Sequence, residues 1–111
     1  MKNRRADVRI RANLRFTFSW GPDAFELFRT VDVSAGGARV VHHVIGSPRP
    51  ELGVVGECAF VLDGQELRCV AQVIRIDRDG FAVRFLGLTQ VQESRIVAWI
   101  FRNEALHRVP A

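Results

Sequence analysis

The sequence predicts a mainly β protein: a small six-stranded antiparallel β-barrel, closed by one C-terminal α-helix and preceded by a flexible, Arg-rich arm. Three observations carry this. Apolar and polar residues alternate in short runs from Leu14 onward, the mark of strands with one buried face. Turn signals separate the runs: Trp20-Gly21-Pro22-Asp23, Asp63-Gly64 and Asp77-Arg78-Asp79-Gly80. After Thr89 the period lengthens to that of a helix. Short strands with regular turns argue for a barrel or compact sandwich.

Each element has its own reason. Residues 1–12 are polar and Arg-rich without a clean period, so they read as a flexible arm. In the first strand Leu14, Phe16 and Phe18 alternate with Arg15, Thr17 and Ser19. The second, Phe25 to Val33, alternates Phe25, Leu27 and Arg29 with Glu26, Phe28 and Thr30. Asp32 to Gly37 then breaks the chain, and Ala38 to His42 resumes as strand. Val44 to Gly53 holds Gly46, Ser47, Pro48 and Pro50 and reads as a surface loop. Val54 to Leu62 and Leu67 to Ile76 form a hairpin about Asp63-Gly64, a type I′ signal. That turn sets Cys58 directly opposite Cys69. Lacking Cys-x-x-Cys spacing, they read as two buried, reduced thiols. Phe81 to Leu86 completes the sheet. Thr89-Gln90-Val91-Gln92 fits a capping box for a helix over 90–103. Val97, Ala98, Ile100 and Phe101 mark its apolar face, widened by Ile96 and Trp99. That face reads as a plug for the barrel, with a partner surface as the alternative. Barrel and helix thus span 13–104, and 105–111 is a tail.

Length and composition set bounds. The 111 residues make one domain with a core that needs no staples. The net charge is +4, and Arg supplies all but one of the 16 basic residues. A basic surface favours anionic partners without choosing among them. The basic start runs into no apolar stretch, and the longest apolar run, Ile96 to Phe101, is far too short to span a membrane. These features predict a cytoplasmic protein. His42 and His43 point to opposite faces of a strand and lack a third ligand, so no metal site is expected. No nucleophile elbow, phosphate loop or acidic metal cluster is present, so no catalytic residue and no enzyme activity are expected.

Two motifs remain. Arg5-Ala6-Asp7-Val8-Arg9 is Arg-x-x-x-Arg in the arm. Asp32-Val33-Ser34-Ala35-Gly36-Gly37 is Asp-x-Ser-x-x-Gly at the end of a strand. An Arg fork matches the N7 and O6 acceptors of guanine, grips a phosphate, or stacks on a purine. A carboxylate at Asp32 accepts from the opposite, donor edge of guanine, and Ser34 donates or accepts beside it. Gly37, with no Cβ, lets backbone and ligand approach closely. Arm plus turn therefore makes a guanine clamp. In order and setting the two motifs resemble those of the PilZ family, small β-barrel receptors for cyclic di-GMP, and the resemblance runs from about Arg4 to Arg102. It implies that Arg5 and Arg9 wrap onto the barrel to contact guanine and phosphate, while Asp32, Ser34, Gly36 and Gly37 line the guanine site. Arg4 directly precedes the motif. In the family an Arg there accompanies binding of two intercalated ligands, which implies a stacked cyclic di-GMP dimer here. No cofactor beyond that ligand is implied. The same resemblance implies output through an unidentified downstream protein, in motility, exopolysaccharide or another surface behaviour, and a ligand that bridges arm and barrel would signal by ordering the arm.

Rival readings stand beside this one. Asp32 could serve as a turn-former through its own hydrogen bonds. Some family members lack nucleotide binding and act as protein adaptors. A small basic barrel could also bind RNA through aromatic platforms. The chain has no Tyr, and its 8 Phe and 2 Trp fall mostly at core positions, with Trp20 the best candidate for exposure. General nucleic-acid binding is therefore the weaker alternative.

Overall fold

A computed structural model describes residues 8–107 and 109. Seven strands and one helix follow in order: β1 (Ile10–Arg11), β2 (Arg15–Gly21), β3 (Ala24–Val33), β4 (Gly37–His42), β5 (Val55–Leu62), β6 (Gln65–Ile76), β7 (Gly80–Leu86) and α1 (Gln90–His107). All pairings are antiparallel. The sheet order is β1-β3-β2-β5-β6-β7-β4, and β3 also pairs with β4. The six strands β2 to β7 thus close on themselves as a barrel, which removes free edges.

The expected strands are present, with one addition. β1 pairs with the end of β3 on the edge β2 also uses, Ile10 opposite Val33 and Arg11 opposite Asp32. Thr30 fills the gap between the two short partners. Its hydroxyl donates to the Ala12 carbonyl and accepts from the Leu14 amide at 2.8 Å. The Ala12 amide donates to the Val31 carbonyl at 3.1 Å. Val8 and Ile10 are buried in the core. The sequence reading of 1–12 as one flexible arm therefore does not hold for 8–12, while 1–7 lie outside the described residues. A strand this short, with Arg9 before it and Arg11 within it, leaves no periodic signal.

The core is aromatic. Phe28 meets Phe81 edge-on at 4.8 Å between ring centroids, and Phe60 lies between Phe16 at 5.9 Å and Phe85 at 5.5 Å. Phe25 and Phe101 are exposed exceptions. Trp20, expected in a turn, lies in β2, half-buried and stacked on Phe18 at 5.7 Å. Asp63 and Gly64 both adopt positive φ, 52° and 79°, as a type I′ turn requires. The resulting register places Cys58 opposite Cys69.

The helix begins at the expected box. The Gln92 amide donates to the Thr89 hydroxyl at 3.1 Å, and the Gln92 side chain accepts from the Thr89 amide at 3.0 Å. It runs on to His107, past the expected ends at 103 and 104. Its buried stripe is Ile96, Trp99 and Ile100, whereas Ala98 and Phe101, expected on that face, are exposed. The helix packs against β1, and its stripe joins Ile10 in the common core, so the helix covers this first strand as well as the barrel. No helix among the described residues is long and apolar enough to cross a membrane.

Candidate functional site

Two β-bulges build the site. Along β3, Thr30 pairs with Val40 while Asp32 pairs with Arg39, so Val31 is an extra residue. In a regular strand Thr30 and Asp32 would share a face. The bulge keeps Thr30 inward with Val40 and turns Asp32 to the outer face beside Arg39. The same happens in β6, where Val73 pairs with Val83 but Arg75 pairs with Ala82. Ile74 is the extra residue, left half-exposed, and Arg75 joins the outer face. A row across four strands results: Asp32, Arg39, Ala82, Arg75. Ala82 is small, so the row sinks at its centre. The neighbouring row is Gly37, Arg84, Gln72.

These rows floor a groove of about 370 Å³, bordered by Arg9, Asp32, Ser34, Gly36, Gly37, Arg39 and, from β6 and β7, Ile74, Arg75, Ala82 and Arg84. Of the residues singled out in sequence, Arg9, Asp32, Ser34, Gly36 and Gly37 meet here. Arg4 and Arg5 lie outside the described residues. Arg39 and Arg84 carried no sequence signal, because an outward Arg on a strand looks like ordinary surface until the register is known, and Arg75 falls at an inward position of a regular alternation.

The arm is docked through an ion pair. Arg9 Nε donates to one Asp32 oxygen at 3.1 Å and its terminal nitrogen to the other at 2.8 Å. This is the bidentate fork geometry. The Asp32 side chain is 9% exposed and that of Arg9 46%, so the carboxylate sits at the bottom with Arg9 over it. Ser34 organises the turn. Its Oγ accepts from the Gly36 and Gly37 amides, both at 3.2 Å, and its own amide donates to the Gly37 carbonyl at 2.8 Å. At Gly37 a Cβ would stand 2.1 Å from the Val83 carbonyl oxygen, whereas at Gly36 the nearest atom would be 3.9 Å away.

Asp77 ties down the other cations. It accepts from Arg75 at 3.1 Å and from Arg39 at 2.9 Å, and Arg39 also reaches Asp79 at 3.3 Å. The Arg75 and Arg39 guanidiniums hold the Asp77 carboxyl below its ordinary value. Arg84 donates to Gln72 at 2.9 Å. Four guanidiniums thus face three carboxylates, leaving an excess of positive charge that suits an anion. Elsewhere, His42 leans on Phe28 and His43 accepts from Arg29 at 3.3 Å. No group of metal-ligating side chains occurs among the described residues.

A family model described as PilZ domain matches residues 3–102. The chain belongs to the PilZ domain family. PilZ domains are receptors that bind cyclic di-GMP and are not enzymes. Solved PilZ structures have the same fold. The PilZ domain of YcgR from Escherichia coli, determined with c-di-GMP, aligns with a TM-score of 0.71 at 19% identity, over 95% of this chain and 93% of that one. The PilZ domain of CeSA from a cellulose-synthesising bacterium aligns with a TM-score of 0.66 at 24% identity, over 86% and 97%. The Bacillus subtilis inhibitor of motility, MotI/DgrA, aligns with a TM-score of 0.78 at 16% identity, over 95% of this chain. The PilZ chain spans about half of that protein, 53% of its length. No curated protein matches.

Proposed function

We propose that this PilZ domain is a cyclic di-GMP receptor that takes the dinucleotide in the groove between the Arg arm and the Asp-x-Ser-x-x-Gly turn. The observation that carries this is the convergence of Arg9, Asp32, Ser34, Gly36 and Gly37 on one groove with Arg39, Arg75 and Arg84. Guanine offers two adjacent donors, N1–H and N2–H₂, and Asp32 offers two acceptor oxygens. Those oxygens are engaged by Arg9. A guanine edge can replace the Arg9 fork, freeing it for a phosphate or the Hoogsteen edge. Arg5 is assigned the second grip, and Arg4 stacks on a base or grips a phosphate so that a ligand dimer binds. Ligand then orders the segment ahead of β1 and remakes the surface seen by a downstream protein. Likeness to a motility inhibitor and to a PilZ domain from a cellulose-synthesising bacterium supports an output in motility or exopolysaccharide.

The test is isothermal titration calorimetry of the wild type with cyclic di-GMP beside the Arg5→Ala/Arg9→Ala double variant. Arg9→Ala alone is expected to weaken binding at least about ten-fold, roughly 1.4 kcal/mol. A stoichiometry near two supports the Arg4 assignment. Hydrogen exchange over 4–12 is expected to slow with ligand, and unchanged exchange sinks the ordering step. Wild-type heat that survives loss of both Arg9 and Asp32 places the site elsewhere. No binding at all leaves a protein adaptor on this fold.

A further inference from the structure

The groove makes no use of the two cysteines. We propose that Cys58 and Cys69 form a peroxide-responsive dithiol, in which Cys69 reacts first and Cys58 resolves it by closing a disulfide between β5 and β6. The two residues are direct partners in the β5–β6 register, and both lie in the core. Their sulfurs stand 3.5 Å apart, and both are free thiols. Facing residues on antiparallel strands hold their Cα atoms roughly 4.5–5.5 Å apart. A disulfide needs roughly 4.4–6.8 Å there and about 2.05 Å between sulfurs. Side-chain rotation therefore suffices to make the bond, and the strands stay where they are.

The two sulfurs are not equivalent. Cys58 has no exposed surface, whereas Cys69 is 8% exposed. Cys69 also borders a surface cavity of about 460 Å³, with Glu57, Arg68, Leu86 and Gln92. An oxidant arrives from that side and must be small, as hydrogen peroxide is. The hydrogen bond between the two sulfurs lowers the Cys69 thiol, against burial and the nearby Glu57 charge. The same bond, with burial, raises Cys58. The thiolate is the nucleophile, and the cavity bordering Cys69 gives it the access that Cys58 lacks.

The chemistry balances with peroxide as the oxidant. The Cys69 thiolate attacks one peroxide oxygen. The O–O bond breaks, and the departing hydroxide takes up a proton as water. Cys69 is left as a sulfenic acid. The Cys58 sulfur gives up its proton and attacks the Cys69 sulfur. The S–S bond forms, the S–O bond breaks, and a second water leaves. The two thiols lose two hydrogens and one peroxide becomes two waters. The bond staples the hairpin whose second strand carries Ile74 and Arg75 into the groove.

The test treats the reduced, full-length protein with hydrogen peroxide, blocks remaining thiols, and maps tryptic peptides without reductant. The expected result is a link within one chain between peptides 40–68 and 69–75, reversed by dithiothreitol. A dimedone trap for sulfenic acid is expected to label Cys69 in Cys58→Ala. Labelling of Cys58 in Cys69→Ala is expected to be at least about ten-fold weaker. The wild-type map needs no variant, so a variant that fails to fold leaves the link decided. The proposal is overturned if both thiols stay reduced until the protein is denatured. It is equally overturned if Cys69 oxidises to sulfinic acid without a link, or if Cys58 is labelled first. None of these readouts depends on ligand binding.

Discussion

Gly36 and Gly37 stand side by side in one motif and do different work. A methyl at Gly37 would enter the Val83 carbonyl across the β4–β7 pairing, and one at Gly36 would meet nothing closer than 3.9 Å. Gly37→Ala is therefore expected to destabilise the fold by about 2 kcal/mol or more, read as a fall in Tm. Gly36→Ala should keep the Tm and disturb only the ligand face. Equal Tm losses in the two variants would contradict this division. Arg9 and Asp32 are coupled by a fork with both oxygens engaged. Removing either leaves the other charge without its partner, and a double-mutant cycle on stability should return about 1 kcal/mol or more of coupling. A cycle near zero would mean that the pair contributes no stability in the absence of ligand. These residues could be singled out in the sequence because the proposed guanine clamp needs a fork, a carboxylate and a close backbone approach. Their pairing with each other was not, since charge complementarity along a chain does not say which partners meet.

At the scale of elements, local chemistry was legible and orientation was not. The capping box could be read from Thr89 and Gln92 because it spans one turn. Thr89→Ala is expected to cost about 1 kcal/mol. The buried stripe of the helix could not be read. Its sequence is apolar on more than one side, and the docking of Ile96, Trp99 and Ile100 on β1 and the barrel chooses between them. Ile100→Ala should destabilise by roughly 2–5 kcal/mol, while Val91→Ala, at a position 71% exposed, should stay within about 0.5 kcal/mol. Thermal unfolding of the two variants checks both. The bulges at Val31 and Ile74 were invisible for a similar reason. An extra residue is defined only against its partner strand, and without that register Asp32 and Arg75 look inward-facing.

Across the whole molecule, the groove, residues 8–12 and the helix are one connected body. The Val109 amide donates to the Arg9 carbonyl at 2.8 Å, and Ile10 is buried in the core that the helix completes. A ligand that engages Arg9 should therefore slow hydrogen exchange in α1 as well as in the arm. Protection confined to the groove would argue against the helix as an output surface. Affinity should fall only gently with salt, as for a ligand of two phosphates, and a steep slope would favour RNA. Acid should act through Asp77, whose carboxyl is lowered from an ordinary 3.8. Such a group adds stability above its unfolded value and loses it as pH falls through the folded one. Asp77→Asn should thus be less stable than wild type near neutrality, by on the order of 1 kcal/mol. The gap should close below about pH 4, and a gap that widened in acid would reverse the sign. By itself the sequence determined the strand runs, the hairpin turn that pairs Cys58 with Cys69, the helix start and the residues of the two motifs. All of these follow from periods, caps and turns within a few residues of one another. Only the tertiary structure decided that Ile10 and Arg11 pair with β3, that Asp32 and Arg75 share an outer face, and that Arg39, Arg75 and Arg84 border the same groove as Arg9. Those facts are set by register between strands distant in sequence, where each alignment of partners is a cooperative choice made by the closed barrel.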